Sequence, residues 1–443
     1  DLKIVIMSAT LEAESFSKYF NKCPILYIRG RQHPVSLLYT QEPQTDYLDS
    51  TFVTILQIHQ EKPLPGDILV FLTGQDEIES LEKLLKQALT VRPDGCPNLK
   101  VCPIYGALPA ELQLKVFEPA PKHARKVILA TNIAETSLTI NGILYVVDTG
   151  FVKQRIYNPR TGLDTLSAMP TSQAQASQRC GRAGREAPGT CYRLYQEALF
   201  STLAPSTTPE ILRGNLGTVV LQLLTMGVTN VINFDFMDPP STDALEAALW
   251  LLFDLGAIDE DKRLTKVGKL LAQFPLEPKL AKVVASSTQY GCGDEILSII
   301  AMMSVENIFH TPQSKRDEVD AARRRFFAPH GDHMTLLNVY NEYKGVDGNT
   351  QWCHRNFVNK RSLTTVINTR KQLRQVCIRL GMKLESSRAD SVLIRKCLLA
   401  GLFSQVAVGD VRKTLSRAHA HARTHSLSLF VLLSLCQCIT HFP

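Results

Sequence analysis

Residues 178–185 have the sequence QRCGRAGR, in which three arginines stand close together on a segment interrupted by glycines. Gly181 and Gly184 remove side-chain bulk where the backbone approaches another group. Arg182 and Arg185 are three residues apart, so on a helical turn they project from one face. Two guanidinium groups on one face suit a polyanion such as a triphosphate, because each donates a planar pair of hydrogen bonds to phosphate oxygens. The alternative is a solvated basic turn.

A second patterned segment lies upstream, at residues 130–140, with the sequence ATNIAETSLTI. It follows the strand-like run Lys126–Leu129. Small hydroxyl residues and an asparagine after a strand either bind phosphates or begin a helix. An ordinary helix cap explains this segment equally well when it is considered alone.

Short apolar runs alternate with helical patterns from about residue 51 to residue 196, which predicts a parallel α/β sheet. The runs are Ile68–Leu72, Val101–Tyr105, Val127–Ala130, Ile143–Val147 and Cys191–Leu194. Ligands of such sheets bind beyond the carboxyl ends of the strands. Thr73-Gly74 and Thr131-Asn132 fall at such ends.

The composition is that of a globular protein, with 443 residues, 44% of them hydrophobic and 21% charged, and the length favours several domains. The net charge of +7 is compatible with nucleic acid but does not establish it. Eleven cysteines form no CxxC zinc pattern and no paired framework, which favours a reducing compartment. No apolar run reaches the ~20 residues that span a bilayer, so we expect no membrane partner.

Together with the first ten residues, these segments resemble the DEAH-box RNA helicases of superfamily 2. Ser8-Ala9-Thr10 matches the third motif of that family and Phe71–Glu79 the fourth, while Thr131–Ile140 matches the fifth and Gln178–Arg185 the sixth. Four further segments match the family: Tyr105–Pro109, Tyr157–Gly162, Phe274–Pro278 and Gly331–His333. The resemblance covers roughly residues 1–405.

The resemblance implies a fold made of an α/β RecA-like parallel-sheet domain followed by winged-helix and helical-bundle (ratchet) domains, with a truncated OB-like end. The expected boundaries are 1–45 for the end of a first RecA-like domain and a linker, 46–200 for the second RecA-like domain, 201–275 for the winged helix, 276–388 for the ratchet, and 389–443 for an incomplete OB-like start with a divergent basic and apolar tail. Within these, residues 3–7 are predicted to form a buried strand, and Ser391–Gln405 the beginning of the OB barrel.

The same resemblance assigns residues to a nucleotide site. Arg182 and Arg185 act as arginine fingers on the γ-phosphate, and Gln178 senses that phosphate or the attacking water. An aromatic residue in the position of Phe117 is ordinarily a core residue, but the resemblance implies that it stacks on adenine. Thr139 and Asn141 lie by the ribose; many relatives have aspartate at the position of Asn141, which weakens a charge-assisted contact there.

Other residues are assigned to RNA. The RNA backbone contacts implied by the resemblance come from Thr73, Gly74, Thr131 and Asn132, which position the strand without reading its sequence. Ser8 and Thr10 couple hydrolysis to strand separation.

Two further features leave alternatives open. Residues 157–166 form either a strand-separating hairpin or a plain surface hairpin. The arginines at 323–325 lie either on a solvated helix face, which we favour, or against RNA.

The sequence contains neither the phosphate-cradling pattern GxxxxGK[ST] nor a DEAH sequence. The resemblance therefore implies that the chain lacks the first RecA-like domain and is inactive alone. The expected cofactors are ATP and Mg²⁺, with the metal ligands mainly in the missing domain and none in this chain.

The function implied is that of an ATP-dependent RNA helicase, which hydrolyses NTP to unwind or remodel structured RNA or RNA–protein complexes. The alternatives are a non-catalytic fragment that binds RNA or a partner, and a DNA helicase of the same superfamily. The implied partners are RNA and a glycine-rich activator protein. The implied location is the nucleus or nucleolus, with a role in ribosome biogenesis, and the cytoplasm is the alternative.

Overall fold

The computed structural model describes residues 3–7, 13–28, 33–90, 97–135, 138–159, 161–305, 308–311, 315–409 and 415–417. Its strands are β1 (Val35–Tyr39), β2 (Asp67–Phe71), β3 (Asn98–Ile104), β4 (Ala124–Ala130), β5 (Ile143–Asp148), β6 (Phe151–Asn158), β7 (Leu163–Pro170), β8 (Gly189–Arg193), β9 (Ala407–Gly409) and β10 (Leu415–Arg417). Six of these strands form one sheet in the order β1-β8-β5-β2-β4-β3. Every neighbouring pair in that sheet is parallel, as predicted.

The sheet is buried on both faces, which explains why its central strands are continuous apolar runs. Every residue of β2 and of β4 is buried. The amino-terminal helices are α1 (Ala13–Tyr19), α2 (Tyr47–Glu61), α3 (Gln75–Thr90), α4 (Ala110–Leu114), α5 (Gln173–Cys180) and α6 (Glu197–Thr202). Helices α2 and α3 pack on one face of the sheet through side chains such as Ile55, Ile58 and Leu81. The opposite face is covered by the segment containing Ala134 and Ile140 and by the turn after α5.

The next group of helices follows the sheet domain: α7 (Glu210–Arg213), α8 (Gly217–Thr225), α9 (Thr242–Asp254) and α10 (Lys266–Leu271). Ser241 begins α9 by accepting a hydrogen bond from the backbone N–H of Ala244. Gly256 ends this segment with a positive φ of 70°. An antiparallel bridge between Ile258 and Leu264 follows, so the helices and the bridge form the expected winged-helix unit.

The remaining helices are α11 (Pro278–Tyr290), α12 (Gly293–Met303), α13 (Arg316–Arg324), α14 (Asp332–Gly345), α15 (Thr350–Arg355), α16 (Lys360–Arg379) and α17 (Ser391–Leu402). Helix α12 is the centre of this bundle, because nine of its eleven residues are buried. The helical texture predicted for the ratchet region is confirmed. None of the described helices is long and apolar enough to cross a membrane.

Ser391–Gln405 is helical and contributes no barrel strand. Asp390 accepts backbone hydrogen bonds from Val392 and Leu393 and so begins α17. The buried side chains Ile394, Cys397 and Leu398 have helical spacing, and α17 packs against α11, where the Cys397 thiol donates to the Val283 carbonyl at 3.3 Å. Only the two short antiparallel strands β9 and β10 follow in the described residues, so an OB-like end is not shown.

The amino-terminal segments also differ from expectation. Residues 3–7 are exposed and form no strand, because no described strand pairs with them. Strand β1 lies inside the stretch expected to be a linker, yet it pairs with β8 at the edge of the sheet. The domain boundaries themselves stay predictions.

Candidate functional site

The predicted site residues divide between the two edges of the parallel sheet. Thr73 follows the carboxyl end of β2, and Thr131 follows that of β4. Asn141 precedes the amino end of β5, and Arg185 precedes that of β8. The segment that contains Thr131 and Asn141 therefore crosses one face of the sheet from its carboxyl edge to its amino edge. The residues assigned to RNA and the arginine pair consequently belong to opposite edges.

Arg182 and Arg185 lie together at the amino edge. Both border a small cavity of about 10 Å³, whose other walls are apolar and include Leu138 and Ile140. Arg182 Nη1 donates to the Leu138 carbonyl at 3.3 Å. Burial, and then repulsion by Arg185, lowers the pKa of Arg182 to about 10. This pair is therefore electrostatically unfavourable by itself and is suited to a bound anion.

Gly184 is required for packing. A Cβ atom at this position would lie 2.6 Å from the backbone oxygen of His33 and 2.7 Å from a methyl carbon of Val35. The Gly184 carbonyl accepts a hydrogen bond from His33 N at 2.9 Å. The backbone that Gly184 lets approach is thus the one leading into β1. Gly181 adopts ordinary right-handed helical angles, with φ of −59°, so its conformation does not require glycine.

Phe117 is 44% exposed, although its neighbour Val116 is fully buried. Lys126 stabilises the turn that contains Phe117. Its buried ammonium group donates hydrogen bonds to the carbonyls of Val116 and Glu118, each at 2.9 Å. Lys126 also lies 3.6 Å from Asp67. Phe117 is therefore a surface ring on an anchored turn, and it is not a core residue.

A buried ion network is centred on Arg179, which lies on α5 just before the arginine pair. Arg179 is 1% exposed and contacts Glu135 and Asp148, each at 2.7 Å. Its guanidinium also lies 5.0 Å from the centre of the Phe71 ring. Burial raises the pKa of Glu135, and the charge of Arg179 opposes that shift. Burial acts to lower the pKa of Arg179 itself, but Asp148 and Glu135 together raise it.

The network extends to neighbouring segments. Tyr195 donates its hydroxyl hydrogen to Asp148 at 3.2 Å, and Gly150 N donates to the same carboxylate at 3.0 Å. Gln175 on α5 donates to Glu135 at 3.4 Å. Because Gly150 leads directly into β6, one set of buried charges joins α5, the fifth-motif segment and the base of the hairpin.

The carboxyl edge is unevenly accessible. Thr73 is 5% exposed, and its hydroxyl donates to Glu77 at 2.6 Å. Gly74 is buried beneath Lys153 of β6, since a Cβ atom on Gly74 would lie 2.7 Å from Lys153 Nζ. Thr131 is partly exposed and Asn132 is exposed. Accessible donors at this edge therefore include Thr131, Asn132 and the ammonium group of Lys153.

The predicted hairpin is present. Strands β6 and β7 pair antiparallel from Phe151 with Pro170 to Asn158 with Leu163. Gly162 closes the turn with a positive φ of 61°. Nearly every residue of β7 is exposed, so the hairpin stands away from the sheet.

The remaining predicted residues are placed as follows. Thr139 and Asn141 are exposed near the arginine pair, and Gln178 is partly exposed on α5. Ser8 and Thr10 lie outside the described residues.

Comparison with known protein families gives three matches along the chain. Residues 50–187 match "Helicase conserved C-terminal domain". Residues 248–276 match "Helicase associated domain (HA2), winged-helix", and residues 277–336 match "Helicase associated domain (HA2), ratchet-like". The order of these matches is the order of the units in the fold.

Individual proteins are similar over most of the chain. ATP-dependent RNA helicase DHX33 of Mus musculus is 48% identical over 95% of this chain, and that of Homo sapiens is 50% identical over 92%. The pre-mRNA-splicing factor ATP-dependent RNA helicase prp22 of Schizosaccharomyces pombe is 48% identical over 93%. The chain belongs to the DEAH-box helicase family. It spans 61% and 58% of the length of the two DHX33 proteins and 35% of that of prp22.

No group of three or more His, Cys, Asp or Glu side chains within the described residues is placed to hold a metal ion. Glu135 and Asp148 are paired with Arg179.

Several residues that shape the candidate site were not assigned a role from the sequence. They are Arg179, Glu135 and Asp148 in the buried network, Lys126 beneath Phe117, and Lys153 above Gly74. A basic residue inside an apolar strand is the one available signal, because burying it requires partners, and Lys126 in β4 has that pattern. The remaining residues, Arg179, Glu135, Asp148 and Lys153, contact partners that are distant in sequence, so no local pattern indicates their roles.

Proposed function

We propose that this chain is part of an ATP-dependent RNA helicase, in which the amino edge of the sheet forms one wall of a nucleotide site and the carboxyl edge holds RNA. The observation that carries this proposal is the arginine pair. Arg182 is partly desolvated and has its pKa lowered by burial and by Arg185. A triphosphate would neutralise both groups, and the planar guanidinium is suited to its oxygens.

In this proposal Arg182 and Arg185 act as arginine fingers that stabilise charge on the transferred phosphoryl group. Arginine fingers in related chemistry accelerate turnover by about 10³–10⁵-fold. Gln178 would orient the attacking water or sense the γ-phosphate. The exposed ring of Phe117 would stack on the base, and the exposed Thr139 and Asn141 would lie by the ribose.

The chemistry needs groups that this sequence does not contain. The pattern that cradles phosphates and the acidic sequence that holds Mg²⁺ are both absent from the 443 residues. We propose that a preceding RecA-like domain supplies them and that Ser8 and Thr10 couple that domain to RNA. Mg²⁺ would supply charge neutralisation between phosphate oxygens when it is bound.

RNA binding is proposed for the opposite edge. Thr131 and Asn132 are accessible, whereas the Thr73 hydroxyl is already used by Glu77. Thr73 and Gly74 would therefore contribute mainly by shaping the turn over which Lys153 lies. Contacts of this kind go to the phosphate backbone, so binding should weaken as salt is raised.

ATP binding by the isolated chain tests the composite site. We expect weak ATP binding by equilibrium dialysis, because most phosphate contacts would come from the other domain. Tight ATP binding by this chain alone would contradict the proposal. Comparison of duplex RNA with duplex DNA as unwinding substrates of the longer protein separates an RNA helicase from a DNA helicase.

Partners and location are also proposed from the family. We propose a nuclear protein, with the nucleolus as a specific site and ribosome biogenesis as the process, activated by a glycine-rich protein that clamps the winged-helix and ratchet units. Imaging of the tagged protein tests the location, and an exclusively cytoplasmic signal would contradict it.

A further inference from the structure

The end of helix α13 exposes a large aromatic ring beside two arginines. Phe327 is 69% exposed, and Arg324 and Arg325 before it are exposed as well. A ligand that covers this ring would remove its apolar area from water, which is favourable. The arginine run was expected to lie on a solvated helix face, and the structure separates its members.

Residues next to Phe327 anchor its turn in the protein interior. Phe326 is fully buried, and its ring lies 5.8 Å from that of Trp352 and 6.5 Å from that of Phe309. The Arg323 guanidinium lies 4.6 Å from the centre of the Phe309 ring and donates to the Thr311 hydroxyl. Arg323 is therefore occupied within the protein and is not part of the exposed group.

Backbone and side-chain hydrogen bonds fix this turn. The backbone N–H of Phe327 donates to the Arg324 carbonyl at 3.3 Å. Asn338 donates to the Phe326 carbonyl at 3.0 Å, and the N–H of Ala328 donates to the Thr335 hydroxyl at 3.0 Å. The exposed ring thus stands on an ordered support, which reduces the entropy lost when a ligand stacks on it.

Arg324 and Arg325 remain able to bind an anion. Arg325 lies 3.6 Å from Glu342, and the two side chains are 61% and 41% exposed. An exposed pair of this kind contributes little free energy, so a phosphate competes with it readily. Arg325 also donates to Asn356 at 3.3 Å, which orients the guanidinium.

We propose that Phe327, Arg324 and Arg325 form a binding site for single-stranded RNA, in which Phe327 stacks on a base and the arginines contact the adjacent phosphates. The proposal rests on the proposed RNA-binding function and adds a site on the ratchet unit. Aromatic rings beside basic groups are the combination that binds single strands without sequence preference. An apolar protein surface fits less well, because covering it would desolvate two arginines.

The test is fluorescence anisotropy of a short labelled oligouridylate with this chain. Phe327→Ala is expected to weaken binding about five-fold or more, the loss of one stacked base. Trp250→Ala is the matched control, since Trp250 is 63% exposed on α9, and it should bind as the parent does. An oligonucleotide with abasic residues should bind the parent and Phe327→Ala equally.

The arginines are tested by salt dependence. The double variant Arg324→Gln, Arg325→Gln should reduce the slope of log affinity against log salt by about 1.4, which corresponds to two single-strand phosphates. If the parent binds no RNA at any salt concentration, the proposed RNA-binding function fails. If the parent binds and Phe327→Ala binds equally well, the site proposed here is wrong, and a protein partner becomes the explanation for the exposed ring.

Discussion

At the scale of single residues, burial separates the arginines of the 178–185 segment into two groups. Arg179 is enclosed by Glu135 and Asp148, whereas Arg182 and Arg185 are partly exposed. The spacing of the sequence predicts that the last two share a face, and both border the same cavity. It does not predict the burial of Arg179, because its partners lie 44 and 31 residues away.

Arg185→Ala in the longer protein should abolish ATP turnover and leave RNA binding nearly intact. The reason is that Arg185 belongs to the amino edge of the sheet, whereas the accessible residues that we propose for RNA binding follow the carboxyl ends of strands. Steady-state ATP hydrolysis and RNA anisotropy on the same preparation measure the two effects. An equal loss of both would show that Arg185 acts in folding.

Arg179→Ala should destabilise the chain by about 3–5 kcal/mol, because it leaves two buried carboxylates without their cation. Urea-induced unfolding of the sheet domain measures this change. Arg182→Ala is the matched control in the same segment, and since Arg182 is partly exposed it should cost much less. Similar costs for the two substitutions would contradict the structural role of Arg179.

Tyr47 gives a pH prediction. Burial, followed by the hydrogen bond to Glu77, raises the pKa of Tyr47 from 10.0 to about 12. Since the folded state favours the protonated phenol, this contribution to stability is complete below pH 10 and is lost as the pH rises toward about 12. Tyr47→Phe should therefore flatten the decline in urea midpoint over that range. If the urea midpoint of Tyr47→Phe falls equally steeply with pH, Tyr47 is not the cause of the decline.

At the scale of elements, continuous apolar runs located five of the six strands of the sheet, because strands such as β2 and β4 are buried on both faces. The edge strand β1 was missed, because none of its residues is buried. The prediction of a barrel start at Ser391–Gln405 was wrong, because the conformation of this segment depends on its packing against α11. Gly401 in α17 lies against α11, where a Cβ atom would be 2.2 Å from the Lys279 carbonyl oxygen. The sequence around Gly401 does not indicate this close contact, because Lys279 is distant in sequence.

Gly401→Ala should destabilise the protein by about 1–3 kcal/mol through overpacking, even though alanine favours helices over glycine. Gly345→Ala is the control near the end of α14, where a Cβ atom meets nothing within 4 Å. Thermal unfolding should show a lower midpoint for the first variant and an equal or higher one for the second. A stabilised Gly401→Ala would refute the close packing of α11 and α17.

At the scale of the whole molecule, the sheet separates the two proposed activities while the buried Arg179 network joins the segments that carry them. The network reaches α5, which leads into the arginine pair, and Gly150 at the base of the hairpin. The order of the domains was predictable from the motifs. The position of Lys153 over Gly74 was not, because it depends on how the base of the hairpin lies against the turn after β2, and the two residues are distant in sequence.

The central claim is that this chain carries one wall of a composite ATP site that responds to RNA. RNA-stimulated ATP hydrolysis, measured on this chain and on a version extended upstream with the preceding coding sequence, tests it most directly. We expect hydrolysis only in the extended version, with stimulation by single-stranded RNA. ATP hydrolysis by this chain alone, or no RNA-stimulated hydrolysis by either, would contradict the account.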